Sequence, residues 1–424
     1  MKAIKRYKAI IITCIGSVAE WLEFSAYLYL APRLAHLFFP DQEAAAGLVS
    51  VFGLFAIAYV ARPIGGFIFG YLGDRYGRRL TLTLSVLIMA MATTGIGLLP
   101  TWDQIGIWAP LLLLACRVMQ GMAVTGEFTN AAVFMIEQSR GNPCLAGTWA
   151  NWSANLGIAL GALTTALVSL PTMPDWAWRI PFLISCTTSL LALLIRRKLF
   201  ESPSFNAAAA KSLSPKKVLT ELFLHHKHNG LVVILISAFA GVTLYVGNMF
   251  WCSYVVSHHY FTPSKANMIA SVDIGVEFLM LPLMAIVAYR AGIRRVMIAG
   301  LLLTASATLL NFYLAAQGCV LTSMLTMIMF ATGVATFEAP MFKLLFDLFP
   351  ARIRCTGIAL AWAMGQSLFS GPSPMLAQWL SDHYGWVGGV FCILLVCGGG
   401  LVAMYMHPAP HKTPNTQAVN IASS

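Results

Sequence analysis

Apolar positions along this chain fall in long continuous runs, without the two-residue alternation of half-buried strands. Runs lie near residues 11–31, 47–72, 80–99, 108–136, 145–170, 180–195, 230–256, 266–288, 296–315, 319–347, 355–380 and 385–406. A helix needs about 20 apolar residues to cross the hydrocarbon core of a bilayer. The pattern therefore predicts an all-α integral membrane protein with about twelve transmembrane helices. Polar connections are short except at residues 196–229, which separate six runs from six. The expected organisation is a six-helix half over 1–195, a basic linker over 196–229, a second six-helix half over 230–407 and a disordered tail over 408–424.

A short motif points to two related halves. GYLGDRYGRR at 70–79 follows the second run, and AIVAYRAGIRR at 285–295 follows the eighth. Both keep Arg-x-Gly and then an Arg pair, with Tyr289 in the second copy where the first has Asp74. A six-helix unit used twice is a transporter architecture, with the substrate path between the halves.

Composition agrees with the runs. The chain is 58% hydrophobic and 10% charged, with a mean hydropathy of +0.75; soluble domains carry about 25% charged residues. The basic start of MKAIKRYKAIIITCIG leads into an apolar stretch too long for a signal peptide and without a small-residue cleavage site, which predicts a retained first helix. The net charge of +11 is a topology signal rather than a nucleic-acid patch. With both termini cytoplasmic, 21 of the 27 Lys and Arg residues fall on the cytoplasmic side, and only Arg33, Arg179 and Lys265 on the other. Arg62, Arg117 and Lys343 fall inside runs. The nine cysteines are scattered through apolar sequence without a CxxC, so they read as small buried hydrophobes. His258, His259 and the HHKH at 225–228 read as solvated polar positions, and no metal site or cofactor is expected.

The loop Gly70–Arg79 resembles the signature of the major facilitator superfamily. Gly73 and Gly77 suit a tight turn and close helix approach. Asp74 is expected near a helix N-terminus of its own or the facing half. The arginines Arg75, Arg78 and Arg79 are expected to pair with carboxylates at neighbouring helix ends, Glu137 above all. Together with Gly70 these residues form an expected gating latch. EWLEF (20–24), RPIGGFIFGYLGDRYGRR (62–79), GIWAPLLLLACRVMQGMAVTGEF (106–128), WAWRIPF (176–182), ESPSF (201–205) and LFPARIRCTGIALAW (348–362) resemble the metabolite:proton symporter family of that superfamily. The family includes carriers of proline and betaine, of α-ketoglutarate, of shikimate and of citrate. The resemblance implies proton-coupled uptake of a small polar metabolite by a monomer in a bacterial inner membrane. The chain departs from the family pattern at Glu23, where Asp is usual, at Thr125-Gly126-Glu127-Phe128, where Gly-Gly-Glu-Tyr is usual, and at Tyr289. The sequence up to Ser424 shows no long coiled-coil tail like that of the osmosensing proline/betaine carriers, so osmotic sensing is not expected.

Charges inside the runs are the candidate machinery, because such groups are costly in hydrocarbon and face an interior or a cavity. Glu20 and Glu23 are i and i+3 on one face of the first helix. Glu127 is a third acid, and Arg62 and Arg117 are the bases of the same half. Three acids against two bases leave one carboxyl to take up and release a proton, with Glu23 the leading carrier and Glu20 shaping its field. Arg62 and Arg117 are candidate substrate ligands, since a guanidinium holds a carboxylate bidentately. Tyr27, Tyr245 and Trp362 are candidate cavity aromatics suited to a quaternary ammonium. Asp273 and Glu277, i and i+4 in the eighth run, form a possible second proton site. Glu338 and Lys343 in the tenth are five residues apart and point to different faces. Gly157 and Gly161 make a small-residue face for close helix packing.

The leading expectation is symport of a zwitterion such as proline or betaine. A di- or tricarboxylate symporter, a facilitator, and a non-transporting sensor or scaffold on the same fold remain alternatives. No GxSxG, HExxH or phosphate-binding loop supports an enzyme.

Overall fold

The computed structural model describes residues 2–40, 44–139, 141–170, 172–196 and 213–406. Twelve long helical segments follow the twelve apolar runs. In chain order they are α1 (Lys2–Tyr29), α2 (Ala44–Tyr76), α3 (Arg78–Leu98), α4 (Trp108–Gln138), α5 (Pro143–Val168), α6 (Ile180–Arg196), α7 (Lys227–Ser257), α8 (Pro263–Ala291), α9 (Ile293–Ala315), α10 (Val320–Leu348), α11 (354–384) and α12 (Val387–Met406). Among the described residues, nine are long and apolar enough to cross a membrane. The other three are α5, α6 and α11, which carry polar residues, fall short in length or are interrupted. Arg140, residues 197–212 with the ESPSF motif, and the tail from 407 lie outside the described residues. In the described part of the linker, Pro215–His225 forms a helix, and α7 begins at Lys227, three residues before its apolar run.

Glycine sets how closely the helices approach. A Cβ on Gly157 would lie 2.6 Å from the Val18 carbonyl oxygen, and one on Gly161 would lie 2.8 Å from that of Leu22. That small-residue face therefore packs α5 directly on α1. The two halves also share a turn geometry. Gly77 joins α2 to α3 at φ 107°, and Gly292 joins α8 to α9 at φ 100°, backbone conformations that glycine adopts without strain. Tyr289, standing where the first copy has its acid, is 57% exposed and makes no counterpart of that acid's contacts.

Four local irregularities shape the interior. α7 and α11 each contain a π-helical stretch, at Thr243–Phe250 and Gln366–Ser370, the kind of bulge that reorients side chains at functional positions. α10 breaks at 339–340, ahead of a short helix from Met341 to Leu348. Pro63 lies within α2 and lacks the N–H that would bond the Tyr59 carbonyl one turn earlier. That carbonyl instead accepts the Ser367 hydroxyl from α11 of the other half.

Candidate functional site

Between the halves lies a cavity of about 80 Å³. Its walls come from α1, α2, α4 and α5 on one side and α7, α8, α10 and α11 on the other. Among its lining residues are the aromatic rings of Trp21, Phe128 and Trp362. Phe128 packs edge-on against Trp21 and tilted against Trp362, at 5.4 and 5.7 Å between ring centres.

Arg62 is the cation of this wall. It is 4% exposed, and its guanidinium sits 3.6 Å over the Tyr59 ring and 5.4 Å from that of Phe24. Its Nε and Nη2 have no hydrogen-bond acceptor among the described residues. Burying a charged donor without a partner is costly, so such a group points to a missing anion. Opposite it, the second half contributes Glu277 and Glu338. Asn155 of α5 donates to Glu277 Oε2 at 2.9 Å, and Asn151 to the Glu338 carbonyl oxygen at 3.3 Å. One turn from Glu277, Asp273 accepts a hydrogen bond from Asn248 at 2.8 Å.

Of the expected substrate residues, Arg62, Tyr245 and Trp362 line the cavity, whereas Arg117 and Tyr27 do not. They form a layer behind it. The Arg117 guanidinium lies 3.9 Å over the Tyr27 ring and donates to Gln120 at 2.6 Å, while the Tyr27 hydroxyl bonds the Val51 carbonyl at 3.0 Å. Helix phase explains the difference, because Arg117 of α4 packs on the Phe24 and Tyr27 rings of α1 and the Tyr27 hydroxyl turns to α2. The acids of the first half are also set back. Glu20 and Glu23 are 3% and 1% exposed, and Thr188 of α6 donates to Glu23 at 3.0 Å. Glu127 accepts from Ser85 of α3 at 2.9 Å.

Contacts between the halves lie on either side of the cavity. On one side Tyr59 and Tyr245 meet through their hydroxyls, beside the Ser367 contact to the Tyr59 carbonyl. Fifteen residues along α2, about 22 Å at helical rise, the signature loop closes the basic end. Asp74 sits at the N-terminus of α11 in the facing half. It accepts from the Cys355 and Thr356 backbone N–H groups at 3.0 and 2.8 Å and from the Thr356 hydroxyl at 2.7 Å. A helix N-terminus is a ready anion site. Arg78 is fully buried. It lies 3.3 Å from Glu137 and 3.6 Å from Asp74, and donates to the Gly73 and Ala351 carbonyl oxygens at 2.8 and 3.2 Å. Arg354 of α11 reaches Glu137 at 3.4 Å.

A Cβ on Gly70 would fall 2.6 Å from the Thr356 Cα, so only glycine lets the helices meet there. One on Gly73 would lie 3.2 Å from Cys355. Arg75 is placed differently from expectation. Adjacent to Asp74 on the helix, it faces outward and bonds the Tyr71 hydroxyl, not an acid. Arg79 is also on the exposed side. Lys343 pairs with Asp347, and Arg352 with Glu221 of the linker helix. Tyr59, Asn155, Gln366 and the cavity position of Glu338 escaped the sequence reading. The charge of Glu338 in an apolar run was the one signal available. No cluster of metal ligands occurs among the described residues.

Known proteins share the sequence pattern and the fold of this chain. Residues 10–224 match the family described as Sugar (and other) transporter, and residues 235–420 match the Major Facilitator Superfamily. The chain belongs to the major facilitator superfamily. It is 30% identical to the glycine betaine/proline/ectoine/pipecolic acid transporter OusA of Dickeya dadantii, over 96% of this chain and 84% of that one. It is 32% identical to the proline/betaine transporter of Escherichia coli, over 89% of this chain and 78% of that one. Among solved structures, the proton:xylose symporter XylE bound to 6-bromo-6-deoxy-D-glucose superposes with a TM-score of 0.77 at 16% identity, covering 96% of this chain and 95% of that one. The inward-open form of XylE gives 0.65 at 17% identity, covering 96% and 98%. The protein is thus a multi-pass membrane transporter of the major facilitator fold.

Proposed function

We propose that this protein is a proton-coupled symporter that takes up a small zwitterion of the proline or betaine type by alternating access. The observation that carries the reading is Arg62, a buried guanidinium on the cavity wall whose Nε and Nη2 have no acceptor among the described residues. A substrate carboxylate supplies that acceptor, and the surrounding aromatic rings suit a cationic nitrogen. The relatives' printed substrates, proline and glycine betaine among them, carry both groups. A di- or tricarboxylate fits less well, because Glu277 and Glu338 share the cavity and repel a second negative charge.

In the cycle we propose, the Asp74 contacts hold the basic end shut while the Tyr59, Tyr245 and Ser367 contacts open to admit substrate. The two sets of contacts then exchange. Glu23, with Glu20 and Glu127 nearby, carries the coupling proton, and no other cofactor takes part. The basic end faces the cytoplasm of a bacterial cell, the protein lies in the inner membrane, and it works as a monomer. A thermal-shift screen of purified protein tests the substrate class. Proline or glycine betaine is expected to raise the unfolding temperature of the wild type but not of Arg62→Gln. Stabilisation by citrate or α-ketoglutarate, and none by either zwitterion, would overturn the reading.

A further inference from the structure

The second-half wall of the cavity has an unbalanced charge. Glu277 on α8 and Glu338 on α10 both line it. Asp273, one turn from Glu277 on the same face of α8, is 3% exposed, and its Oδ1 has no hydrogen-bond partner among the described residues. The partners supplied to these side chains are neutral amides, Asn155 for Glu277 and Asn248 for Asp273. Among the described residues no lysine, arginine or histidine forms an ion pair with any of the three. The nearest base along α10, Lys343, is taken by Asp347 one turn further on. An amide orients a carboxylate but does not neutralise it. Three carboxyl groups held together at membrane depth without a cation are neutralised either by protons or by a cation that arrives from elsewhere. The first-half wall has the opposite defect in Arg62, a buried cation whose Nε and Nη2 find no acceptor among the described residues.

We propose that Glu277 and Glu338, backed by Asp273, form a cation subsite that binds the positively charged nitrogen of the substrate while Arg62 binds its carboxylate. The inference rests on the zwitterion reading above and deepens it. The ligand then lies across the interface, with its anionic end on α2 and its cationic end on α8 and α10. Each end satisfies a different half, so a molecule with only one charge leaves one wall uncompensated. This makes Glu277 and Glu338 specificity-determining residues, and the small cavity restricts the ligand to one with its two charges close together.

The test compares proline with cyclopentanecarboxylate, the same ring and carboxylate without the nitrogen, as competitors of labelled proline binding in proteoliposomes. Wild-type protein is expected to prefer proline at least tenfold, the discrimination of one hydrogen bond to a charged group. In Glu277→Gln and Glu338→Gln the preference should fall several-fold, through weaker proline binding with cyclopentanecarboxylate unchanged or improved. Glu277→Asp and Glu338→Asp, which keep the charge, should hold most of it and serve where a glutamine variant does not fold. A wild-type ratio near one overturns the proposal without any variant. So does an unchanged ratio in glutamine variants that bind proline, including the case in which they lose only pH-driven accumulation and so carry the proton instead. If wild-type protein binds neither proline nor glycine betaine, the zwitterion reading itself fails, an outcome distinct from the loss of discrimination.

Discussion

Asp74→Asn isolates the contact that closes the basic end. In the structure the carboxylate accepts three hydrogen bonds from the facing half, from the Cys355 N–H, the Thr356 N–H and the Thr356 hydroxyl. Hydrogen bonds to a charged group each contribute about 1.5–3 kcal/mol. An asparagine keeps one acceptor oxygen and turns an NH2 toward the remaining donor. It loses one charge-assisted bond, reduces the others to neutral ones and gives up attraction to Arg78. A loss of about 3 kcal/mol from the closed state is a conservative sum, equivalent to about 10²-fold in the closed-to-open ratio. Cys355 is a native reporter, being 1% exposed beneath the contact. In a background lacking the other cysteines, its reaction with a membrane-permeant maleimide tracks the open population when opening is fast. The expected result is labelling about 10²-fold faster in Asp74→Asn, together with slowed net uptake. Labelling within threefold of wild type in a correctly inserted variant would refute the latch.

Three further substitutions probe the same cycle. Gly70→Ala places a Cβ against the Thr356 backbone, so uptake should fall more than tenfold while the thermal unfolding temperature stays close to wild type; full uptake would contradict the tight contact. Pro63→Ala restores a donor for the Tyr59 carbonyl and competes with Ser367, so a probe at the Tyr59 end of the cavity should react several-fold faster in the variant. Glu23→Gln should abolish accumulation driven by a pH gradient while retaining substrate exchange. Retained accumulation would move the proton to Glu127 or to the acids of α8 and α10.

The helices were legible because each crossing needs about 20 apolar residues, a signal that survives local polar interruptions. The π-helical stretches and the break in α10 were not, since they depend on packing across the halves. The placement of Gly70, Asp74 and Gly77 was legible as well, because their chemistry fits a close approach, a helix N-terminus and a left-handed turn, whereas that of Arg75 and Arg79 was not. Cavity membership was only partly legible. A charge in an apolar run announces that it faces inward, as at Arg62 and Arg117, but not which neighbour it faces. At 100° per residue, small differences in helix phase put Arg62 on the cavity and Arg117 behind it. Asn155 and Gln366 were invisible in the sequence because an amide in a helix is unremarkable until its partner is known.

Uptake of labelled proline or glycine betaine into sealed proteoliposomes, with and without an imposed pH gradient, tests the central claim most directly. The account predicts that an alkaline interior drives accumulation above the external concentration, and that a protonophore collapses it to equilibrium. Uptake that only equilibrates under both conditions, or none at all in protein that binds substrate, would contradict it.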